Sequence, residues 1–226
     1  MEIKPIAHIR TDFGEKFGIP RQSGLCSLLE GKIVFEPEFA KRESVRGLEE
    51  FSHIWLIWQF SETPPPSSLT VRPPRLGGNK RVGVFASRSP FRPNGLGLSC
   101  VRLKSIEYSS SGEPVINVFG ADLCDKTPIF DIKPYVPLSD CVPDALEGYT
   151  KMTKEHILSV HIPEEKALML PKNKLAALKE ILQLDPRPGY DDSPEKLYGL
   201  NFAGYNIKFS VKNDVLCVSD IEKIKR

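Results

Sequence analysis

Short apolar segments separated by turn residues make up most of the chain up to about residue 140. The segment from His53 to Phe60 is nearly continuous in apolar and aromatic side chains, which is typical of a buried strand at the centre of a sheet. Turns rich in glycine and proline join the segments, and there is almost no helical period. This part of the chain is therefore predicted to be mainly β, as a barrel or a closed sandwich. Further strands are predicted at residues 3–9, 32–35, 81–86, 96–103, 115–121 and 129–132.

The alternation of apolar residues changes phase within residues 96–103. Leu96, Leu98 and Cys100 are spaced by two, and Val101 and Leu103 then continue in the opposite phase. Because side chains of a strand alternate between its faces, a slip of one residue moves the apolar set to the other face. The pattern predicts a β-bulge at this point.

The pattern becomes helical after a linker at residues 144–149. Residues 172–184 carry an apolar stripe with helical spacing, and Pro171 precedes it at a position that suits a helix start. Residues 205–211 alternate, and residues 215–218 can return as the second strand of a hairpin. We therefore predict a β domain over residues 1–145 and a small α+β domain over residues 150–226.

Composition is ordinary for a globular protein of one large domain and a small addition. The 226 residues are 40% hydrophobic and 27% charged, with a formal net charge of +2. Five scattered cysteines without a CxxC pair are typical of reduced thiols. The charged N-terminal residues do not resemble a signal peptide, and no apolar run is long enough to cross a bilayer. We expect a soluble, cytoplasmic protein with no membrane partner.

One long stretch departs from this balance, since no Asp or Glu occurs between Thr63 and Ile106. Prolines stiffen its loops, so arginine side chains there are presented with little further loss of entropy, and glycines let the backbone approach a ligand closely. A surface loop without a ligand would normally mix both signs of charge, and an anion or nucleotide site is favoured over a plain basic loop. The basic residues of the stretch are Arg72, Arg75, Lys80, Arg81, Arg88, Arg92, Arg102 and Lys104.

Several common kinds of active site are not supported. The chain has no GxGxxG after a strand, no phosphate-binding P-loop and no GxSxG. The four histidines have no ligand spacing, and no cysteine has an adjacent histidine, so neither a metal site nor a cysteine nucleophile is expected. Three constrained polar clusters remain, at residues 20–22, 88–98 and 122–133, and they suit a zwitterionic, nucleotide-like ligand.

Five side chains near these clusters have simpler structural interpretations. Trp55, Trp58 and Tyr135 are expected in the core rather than as stacking platforms. Asp131 and Lys133 fit a surface salt bridge as well as they fit a site role.

Five motifs together resemble the TsaA/TrmO family. They cover most of residues 5–145 and return near residues 185–190, and they read IPRQSG, VRGLEEFSHIW, RPPRLGGNKRVGVFASRSPFRPNGLGLS, DLCDKTPIFDIKPY and LDPRPGY. The resemblance implies a small antiparallel β-barrel, unlike the usual Rossmann methyltransferase, and a homodimer with S-adenosyl-L-methionine bound near the subunit interface. It also implies methylation of N6 of threonylcarbamoyladenosine at position 37 of tRNA.

The resemblance also assigns residues to the cofactor site. Two positions depart from the family pattern: Ser61-Glu62-Thr63 stands where HQT is common, and Lys126 replaces a glycine, which would be strained if φ is positive there. The residues expected around the cofactor are Pro20, Arg21, Gln22, Ser61, Glu62, Arg88, Leu98, Asp122, Leu123, Cys124 and Asp125.

The remaining polar residues of the three clusters are assigned to the substrate. Arg88, Arg92 and Asn94 are the candidates for orienting the threonylcarbamoyl group, whose carboxylate matches an arginine fork. Two alternatives stay open: a nucleic-acid-binding barrel without catalysis, and a methyltransferase or cofactor-sensing regulator that acts on small molecules. Contacts with tRNA phosphates are expected from Arg72, Arg75, Lys80, Arg81 and Arg187.

Overall fold

A computed structural model describes residues 2–73, 76, 80–152, 157–188, 193 and 196–224. The first strands are β1 (Ala7–Arg10), β2 (Glu30–Phe35) and β3 (His53–Gln59), followed by a small ribbon of β4 (Thr70–Val71) and β5 (Val82–Gly83). The chain then forms β6 (Leu96–Tyr108), β7 (Pro114–Phe119) and β8 (Pro128–Pro134). Six of these strands close into an antiparallel barrel in the order β1-β2-β7-β6-β3-β8. The predicted mainly β fold is confirmed, and it is a barrel.

Alternate residues of the barrel strands fill its interior. Ile9, Ile33, Ile54, Ile116 and Ile129 come from five different strands and are fully buried. β3 pairs with β6 on one side and β8 on the other, so the strand predicted from its apolar run is central. Because every strand has two neighbours, the barrel has no open edge along its circumference.

The predicted position of the bulge in β6 is wrong. β3 pairs with β6 without interruption from His53–Arg102 to Gln59–Leu96, and the register shift lies between Leu103 and Ser105, opposite β7. The inward side chains of β6 belong instead to Gly97, Ser99 and Val101. Leu98 is 56% exposed, because the interior at this level is already filled by Trp58 from β3.

Several other sequence expectations are corrected in the barrel. Trp58 is buried as predicted, but Trp55 and Tyr135 lie half-buried on the outer face, with ring centroids 5.8 Å apart. The strand expected at residues 3–9 begins only at Ala7, after Pro5, which has no N–H to donate. The strand expected at residues 81–86 is the short β5, which continues into a 3₁₀ turn at Val84–Ala86 outside the barrel.

The C-terminal part is α+β, as predicted. A short helix α1 (Pro137–Asp140) leads out of the barrel, and β9 (Ser159–His161), α2 (Glu164–Ala167) and α3 (Lys172–Gln183) follow. β10 (Tyr198–Phe202), β11 (Tyr205–Lys212) and β12 (Val215–Lys223) complete a sheet in the order β10-β11-β12-β9, with β9 parallel to β12. No helix in the described part of the chain has the length and apolarity that spanning a membrane requires.

The barrel and the C-terminal part have separate hydrophobic cores, and a segment from the N-terminal half of the chain packs in the C-terminal one. Residues 13–29, here called the junction segment, run between β1 and β2, yet Phe13, Cys26 and Leu29 belong to the core of the C-terminal sheet and α3. The rings of Phe13 and Phe202 pack with centroids 5.4 Å apart. The boundary expected at residues 145–150 separates the strands of the two parts, but the junction segment contributes to both.

Candidate functional site

A cavity of about 520 Å³ opens beside the start of β6 and the end of β3. Its size is within the range of small-molecule sites, which is roughly 300–1,000 Å³. The wall comes from segments far apart in sequence: residues 19–22 of the junction segment, 58–63 at the end of β3 and in the turn that follows it, the loop 87–92, 96–98 of β6 and 122–124 after β7. Four turns and a strand start thus converge on one space, which is lined by both charged and apolar side chains.

Small residues bring two of these segments together. Gly120 has a φ of +80°, and a Cβ built on it would lie 3.2 Å from the Cα of Gly24. The N–H of Gly24 donates to the carbonyl of Gly120 over 2.9 Å. Because a side chain at residue 120 would push the two turns apart, the glycine pair fixes the junction segment beside residues 122–124.

A hydrogen-bond chain leads from the barrel interior to the cavity. Nε1 of Trp58 donates to Oγ of Ser99 over 2.9 Å, and Oγ of Ser99 donates to Oδ1 of Asp122 over 2.6 Å. Trp58 and Asp122 both line the cavity. The buried ring and hydroxyl therefore fix the direction of the Asp122 carboxyl, which limits its freedom before any ligand binds.

Asp122 and Cys124 are the two described residues lining the cavity whose pKa is raised by burial, and Asp122 is the carboxyl group of the pair. Burial raises the pKa of its carboxyl above the ordinary value of 3.8, and this effect exceeds the opposing influences of the Ser99 hydrogen bond, backbone N–H groups and the charge of Arg88. A buried carboxylate whose pKa is raised lacks a full counter-charge. Asp122 is accordingly suited to a cationic or hydrogen-bond-donating ligand.

The cationic side chains of the cavity differ in how much they are already engaged. Arg88 donates through Nη1 to Oε1 of Gln22, so the loop 87–92 and the junction segment are joined across the cavity. Lys16 donates to the carbonyl of Glu62. Arg92 donates through Nη1 to the carbonyls of Ser87 over 2.7 Å and Val84 over 3.2 Å, which fixes the loop from within.

The cavity brings together all but one of the residues expected around the cofactor. Asp125 does not line it: its Oδ1 accepts from Nε of Arg10 over 2.8 Å and from the N–H of Thr11 over 3.1 Å, which ties the turn after β7 to β1. Lys126 has a φ of +66°, so the strain expected from replacing glycine is present. The expected residues that do line the cavity are Pro20, Arg21, Gln22, Ser61, Glu62, Arg88, Leu98, Asp122, Leu123 and Cys124.

The three residues expected to orient the substrate lie in different surroundings. Arg88 is exposed and lines the cavity, whereas Arg92 lines it with a guanidinium that is bound to backbone carbonyls. Asn94 is exposed and does not line the cavity. Asp131 and Lys133 form an exposed salt bridge of 3.0 Å, which is the structural alternative considered for them.

The residues expected to contact tRNA phosphates separate into three groups. Arg72 and Arg81 line a second groove beside the cavity, and Lys80 is exposed. Arg75 lies outside the described residues. Arg187 is a correction: its side chain is only 11% exposed, and its guanidinium makes two bonds of 2.8 Å to the carboxylate of Asp185, so it is not displayed to a phosphate.

Sequence reasoning missed several residues of the cavity. Ser99 donates a hydrogen bond to Asp122 and accepts one from Trp58, but an isolated serine in an apolar strand does not reveal that role in the sequence. Lys16 lies in a polar loop that resembles any surface turn. Gln59 lines the cavity and does have a signal, since it is the polar end of an otherwise apolar strand. Among the described residues, no group of three or more His, Cys, Asp or Glu is arranged to hold a metal ion.

Comparisons with known proteins agree along the length of the chain. The tRNA-methyltransferase O N-terminal domain matches residues 8–141, and the TrmO C-terminal domain matches residues 157–224. A tRNA (adenine(37)-N6)-methyltransferase of Escherichia coli (strain K12) is 37% identical over 219 residues, covering 93% of each chain. A Pseudomonas aeruginosa relative, named for S-adenosylmethionine-dependent methyl transfer, is 37% identical over 229 residues, covering 97% of this chain and 96% of its own.

A solved structure supports the same relationship in three dimensions. The crystal structure of TrmO from Pseudomonas aeruginosa superposes with a TM-score of 0.79 at 32% identity, covering 98% of both chains. The matched length includes the barrel and the C-terminal sheet, so the similarity is not confined to one motif. This chain belongs to the TrmO family of tRNA methyltransferases.

Proposed function

We propose that this protein is an S-adenosylmethionine-dependent methyltransferase that acts on N6 of adenine 37 of tRNA. The observation that carries the proposal is the cavity, where Arg88 and Asp122 converge from separate loops of a barrel that the family shares. The names of the relatives in Escherichia coli and Pseudomonas aeruginosa supply the reaction and the methyl donor. The tRNA substrate named for the relatives and the five free cysteines favour a cytoplasmic location.

The residues of the cavity fit S-adenosylmethionine in size and chemistry. The Asp122 carboxylate can accept from the ammonium or ribose hydroxyl groups, and the guanidinium of Arg21 can donate to the carboxylate of the cofactor. Leu98, Leu123 and other apolar side chains give the adenine and the methyl-bearing carbons a dry wall. The turn after β3 is held by the Phe60 N–H bond to the Gly95 carbonyl (2.8 Å), while the Ser61 N–H donates to the Gln59 carbonyl (2.8 Å) and the Glu62 carbonyl accepts from Lys16, so Ser61 and Glu62 are fixed at the cavity wall before a ligand binds.

The role of the protein in the reaction is mainly positioning. When bound, S-adenosylmethionine supplies a methyl group on a positively charged sulfur, for in-line displacement by the attacking nitrogen. The rigid turns around the cavity hold the two reactants in line and exclude water. As the new N–C bond forms and the C–S bond breaks, the nitrogen loses its proton to solvent, and a donor such as Arg88 assists by stabilising the negative charge that develops on a neighbouring oxygen.

We further propose that the substrate adenine already carries the threonylcarbamoyl group. The carboxylate of that group matches the exposed guanidinium of Arg88, which stands on the loop between the cavity and the second groove. Arg92 has a supporting role, because its guanidinium is used to fix the same loop. An adenine in the anticodon loop can be presented without opening a duplex.

Transfer of labelled methyl groups tests the reaction directly. Purified protein is incubated with labelled S-adenosylmethionine and with tRNA that either carries or lacks the threonylcarbamoyl group. We expect label only in the modified tRNA, and Arg88→Ala should reduce the rate by about 10²-fold or more, as for a lost charge-stabilising donor. Arg46→Ala is the control, because this exposed arginine stands at the other end of the barrel.

Each result has a distinct interpretation. Label in both tRNAs would contradict the modified substrate while supporting the methyltransferase. Cofactor binding by calorimetry without label in any tRNA would favour a small-molecule methyltransferase or sensor. A nucleic-acid complex with no cofactor binding would favour a non-catalytic barrel.

We also propose that the protein is a homodimer that pairs through the outer face of β3 and β6. The outward side chains there are apolar: Ile57 stands opposite Leu98 and Trp55 opposite Cys100 in the strand register. Leu98 also lines the cavity, so a partner on this face would lie beside the cofactor. Sedimentation of the wild type and of Leu98→Glu tests the interface, with a shift to monomer expected for the variant.

A further inference from the structure

A second groove continues from the cavity. It encloses about 1,310 Å³ and shares Arg21, Gln22, Ser87, Arg88 and Pro90 with the cavity. Its other walls come from residues 66–73, from the segment after β5 and from Glu147, Tyr149 and Thr150. A ligand longer than one nucleotide can therefore extend from the cavity into the groove past Arg88 and Gln22, which line both spaces and are hydrogen-bonded to each other.

Two phenylalanine rings are displayed in this groove. Phe85 is 76% exposed and Phe91 is 46% exposed, and both line it. Water contact with a large apolar ring is unfavourable, and exposed aromatic side chains at a groove commonly mark a binding surface. Neither ring is among the residues assigned above to the cofactor or to the reacting group.

The backbone that carries the rings is held in place by local hydrogen bonds. Oγ of Ser87 donates to the carbonyl of Val84 over 2.9 Å, and Oγ of Ser89 accepts from the N–H of Phe91 over 3.2 Å. Arg92 adds its two bonds to the carbonyls on either side of Phe85, those of Val84 and Ser87. The rings are consequently presented from a pre-ordered loop, so little backbone entropy is lost when a flat ligand stacks on them.

The charge around the rings selects the kind of ligand. Arg21, Arg72, Arg81 and Arg88 line the groove, against one carboxylate, that of Glu147, so positive charge is in excess around the rings. Arginines with exposed aromatic rings are the combination by which proteins hold unpaired nucleotides, with the rings stacking bases and the arginines meeting phosphates. A second copy of the chain could bury the two rings, but it would also have to bury the positively charged arginines, which is unfavourable without counter-charges.

We propose that Phe85 and Phe91 stack the unpaired bases next to the target adenine and that the groove holds the adjoining strand of the anticodon loop. The inference rests on the proposed function, since it assumes that the adenine enters the cavity. Stacking recognises the flat face of any base, so the two rings contribute affinity and orientation with little preference for the neighbouring sequence.

The test uses the full chain and a synthetic anticodon stem-loop that contains the target adenine. Phe85→Ala and Phe91→Ala should each weaken binding of the stem-loop roughly 5- to 150-fold, as for the loss of one base–aromatic stack. The slope of log affinity against log salt should stay unchanged in both, whereas Arg72→Ala should make the slope shallower by about 1. A 2-aminopurine next to the target adenine should be quenched by the wild type and less by the phenylalanine variants.

Two controls distinguish failure of the stacking role from failure of the proposed methyltransferase function. Phe51→Ala removes a ring that is 37% exposed just before β3, at the opposite end of that strand from the cavity, and should leave stem-loop binding unchanged. Affinity for S-adenosylmethionine should be the same in all variants, since neither groove ring lines the cavity. If the wild type bound no cofactor and methylated no tRNA, the proposed function itself would fail.

Two results would overturn the stacking role alone. The first is that the wild type methylates tRNA, but Phe85→Ala and Phe91→Ala both bind the stem-loop as tightly as the wild type does. The other is dissociation of a dimer by Phe85→Ala or Phe91→Ala, because the rings would then be covered by a second copy rather than by RNA.

Discussion

The indole of Trp58 lies against the backbone of Gly97: a Cβ atom built on Gly97 would stand 2.3 Å from Cε2 of the ring. The two residues face each other across the β3–β6 pair. The same indole donates to Ser99, and Ser99 donates to Asp122, so the absence of a side chain at residue 97 sets the position of the carboxyl in the cavity. A core contact and a site residue are thereby linked through one ring.

Gly97→Ala is expected to destabilise the fold and to disturb the cavity. The added methyl group must displace Trp58, and overpacking of this kind costs about 1–3 kcal/mol. Urea unfolding measures the loss of stability, and calorimetry should show weaker binding of S-adenosylmethionine because the hydrogen-bond chain to Asp122 is shifted.

Gly14→Ala is the matched control for this substitution. A Cβ on Gly14 meets nothing within 4 Å, and its backbone is not in the positive-φ region. Its free energy of unfolding should stay within about 0.5 kcal/mol of the wild type. Equal stability of the two variants would contradict the rigid packing of Trp58 on Gly97.

The contact between Trp58 and Gly97 also shows why part of the fold could be predicted from the sequence and part could not. Strand positions and the change to an α+β C-terminal part follow from local periodicity, which the sequence displays directly. The inward face of β6 does not, because Gly97 and Ser99 are small and give no hydrophobic signal, whereas the outward Leu98 does. The inward face of β6 carries small residues because the large indole of Trp58, on β3, occupies the space in front of them.

Contacts between residues far apart in the sequence also limited how much of the site could be predicted. Most of the residues that the motifs assigned to the cofactor do line the cavity, since they lie in stiff turns at strand ends. Asp125 and Arg187 were misplaced because Arg10 and Asp185 engage them, and a basic or acidic residue in a turn gives no indication of whether a partner is near. The sequence indicated the polar corner at residues 20–22 of the junction segment but not the packing of Phe13, Cys26 and Leu29, because their partners lie in the C-terminal part of the chain.

Lys174 is predicted to hold the junction segment to the C-terminal part. Its Nζ lies 2.6 Å from Asp12 and 3.2 Å from Glu30, at either end of that segment. Lys174→Met should lower the free energy of unfolding by about 1–3 kcal/mol, because two partly buried carboxylates lose a shared donor. Since the segment carries Arg21 and Gln22, affinity for S-adenosylmethionine should fall as well.

The pH dependence gives this prediction a sign. Burial lowers the pKa of Lys174, but the hydrogen bonds and charges of Asp12 and Glu30 outweigh it and raise the pKa above 10.5. This stabilisation is complete below pH 10.5 and is lost as the pH rises through the raised value. The hydrogen bond from Lys104 lowers the pKa of Glu30 below 4.5, and Lys174 lowers it further, although burial opposes both. The contribution of Glu30 to stability is therefore lost as the pH falls through that lowered pKa.

Urea unfolding at several pH values should therefore show the largest difference between wild type and Lys174→Met between these limits. Lys179→Met removes an exposed lysine of the same helix and is the control, with no change expected in stability or cofactor affinity. A difference that stayed constant through both limits would show that the lysine acts by packing and not by charge.

Cys26 is predicted to be unreactive in the folded protein. It is 1% exposed, and burial, followed by the charge of Glu180, raises the pKa of its thiol to about 12. Since the thiolate is the reactive form, iodoacetamide at pH 8 should label the exposed Cys217 and leave Cys26 unlabelled until urea is added. Peptide mass spectrometry separates the two sites. Labelling of Cys26 at the rate of Cys217 would mean that the junction segment opens readily.

Affinity for S-adenosylmethionine is predicted to fall in acid because of Asp122. Burial raises the pKa of this carboxyl above 3.8, so the negative charge that would face the ligand's donors is lost at a higher pH than for an ordinary aspartate. Calorimetry from pH 7 downward should show binding weaken as the pH falls through the raised value. Asp122→Asn should bind weakly at pH 7 and show little of this pH dependence, whereas Asp131→Asn, a change in an exposed salt bridge outside the cavity, should follow the wild-type curve. A wild-type curve retained in Asp122→Asn would assign the titration to another group and remove Asp122 from the cofactor site.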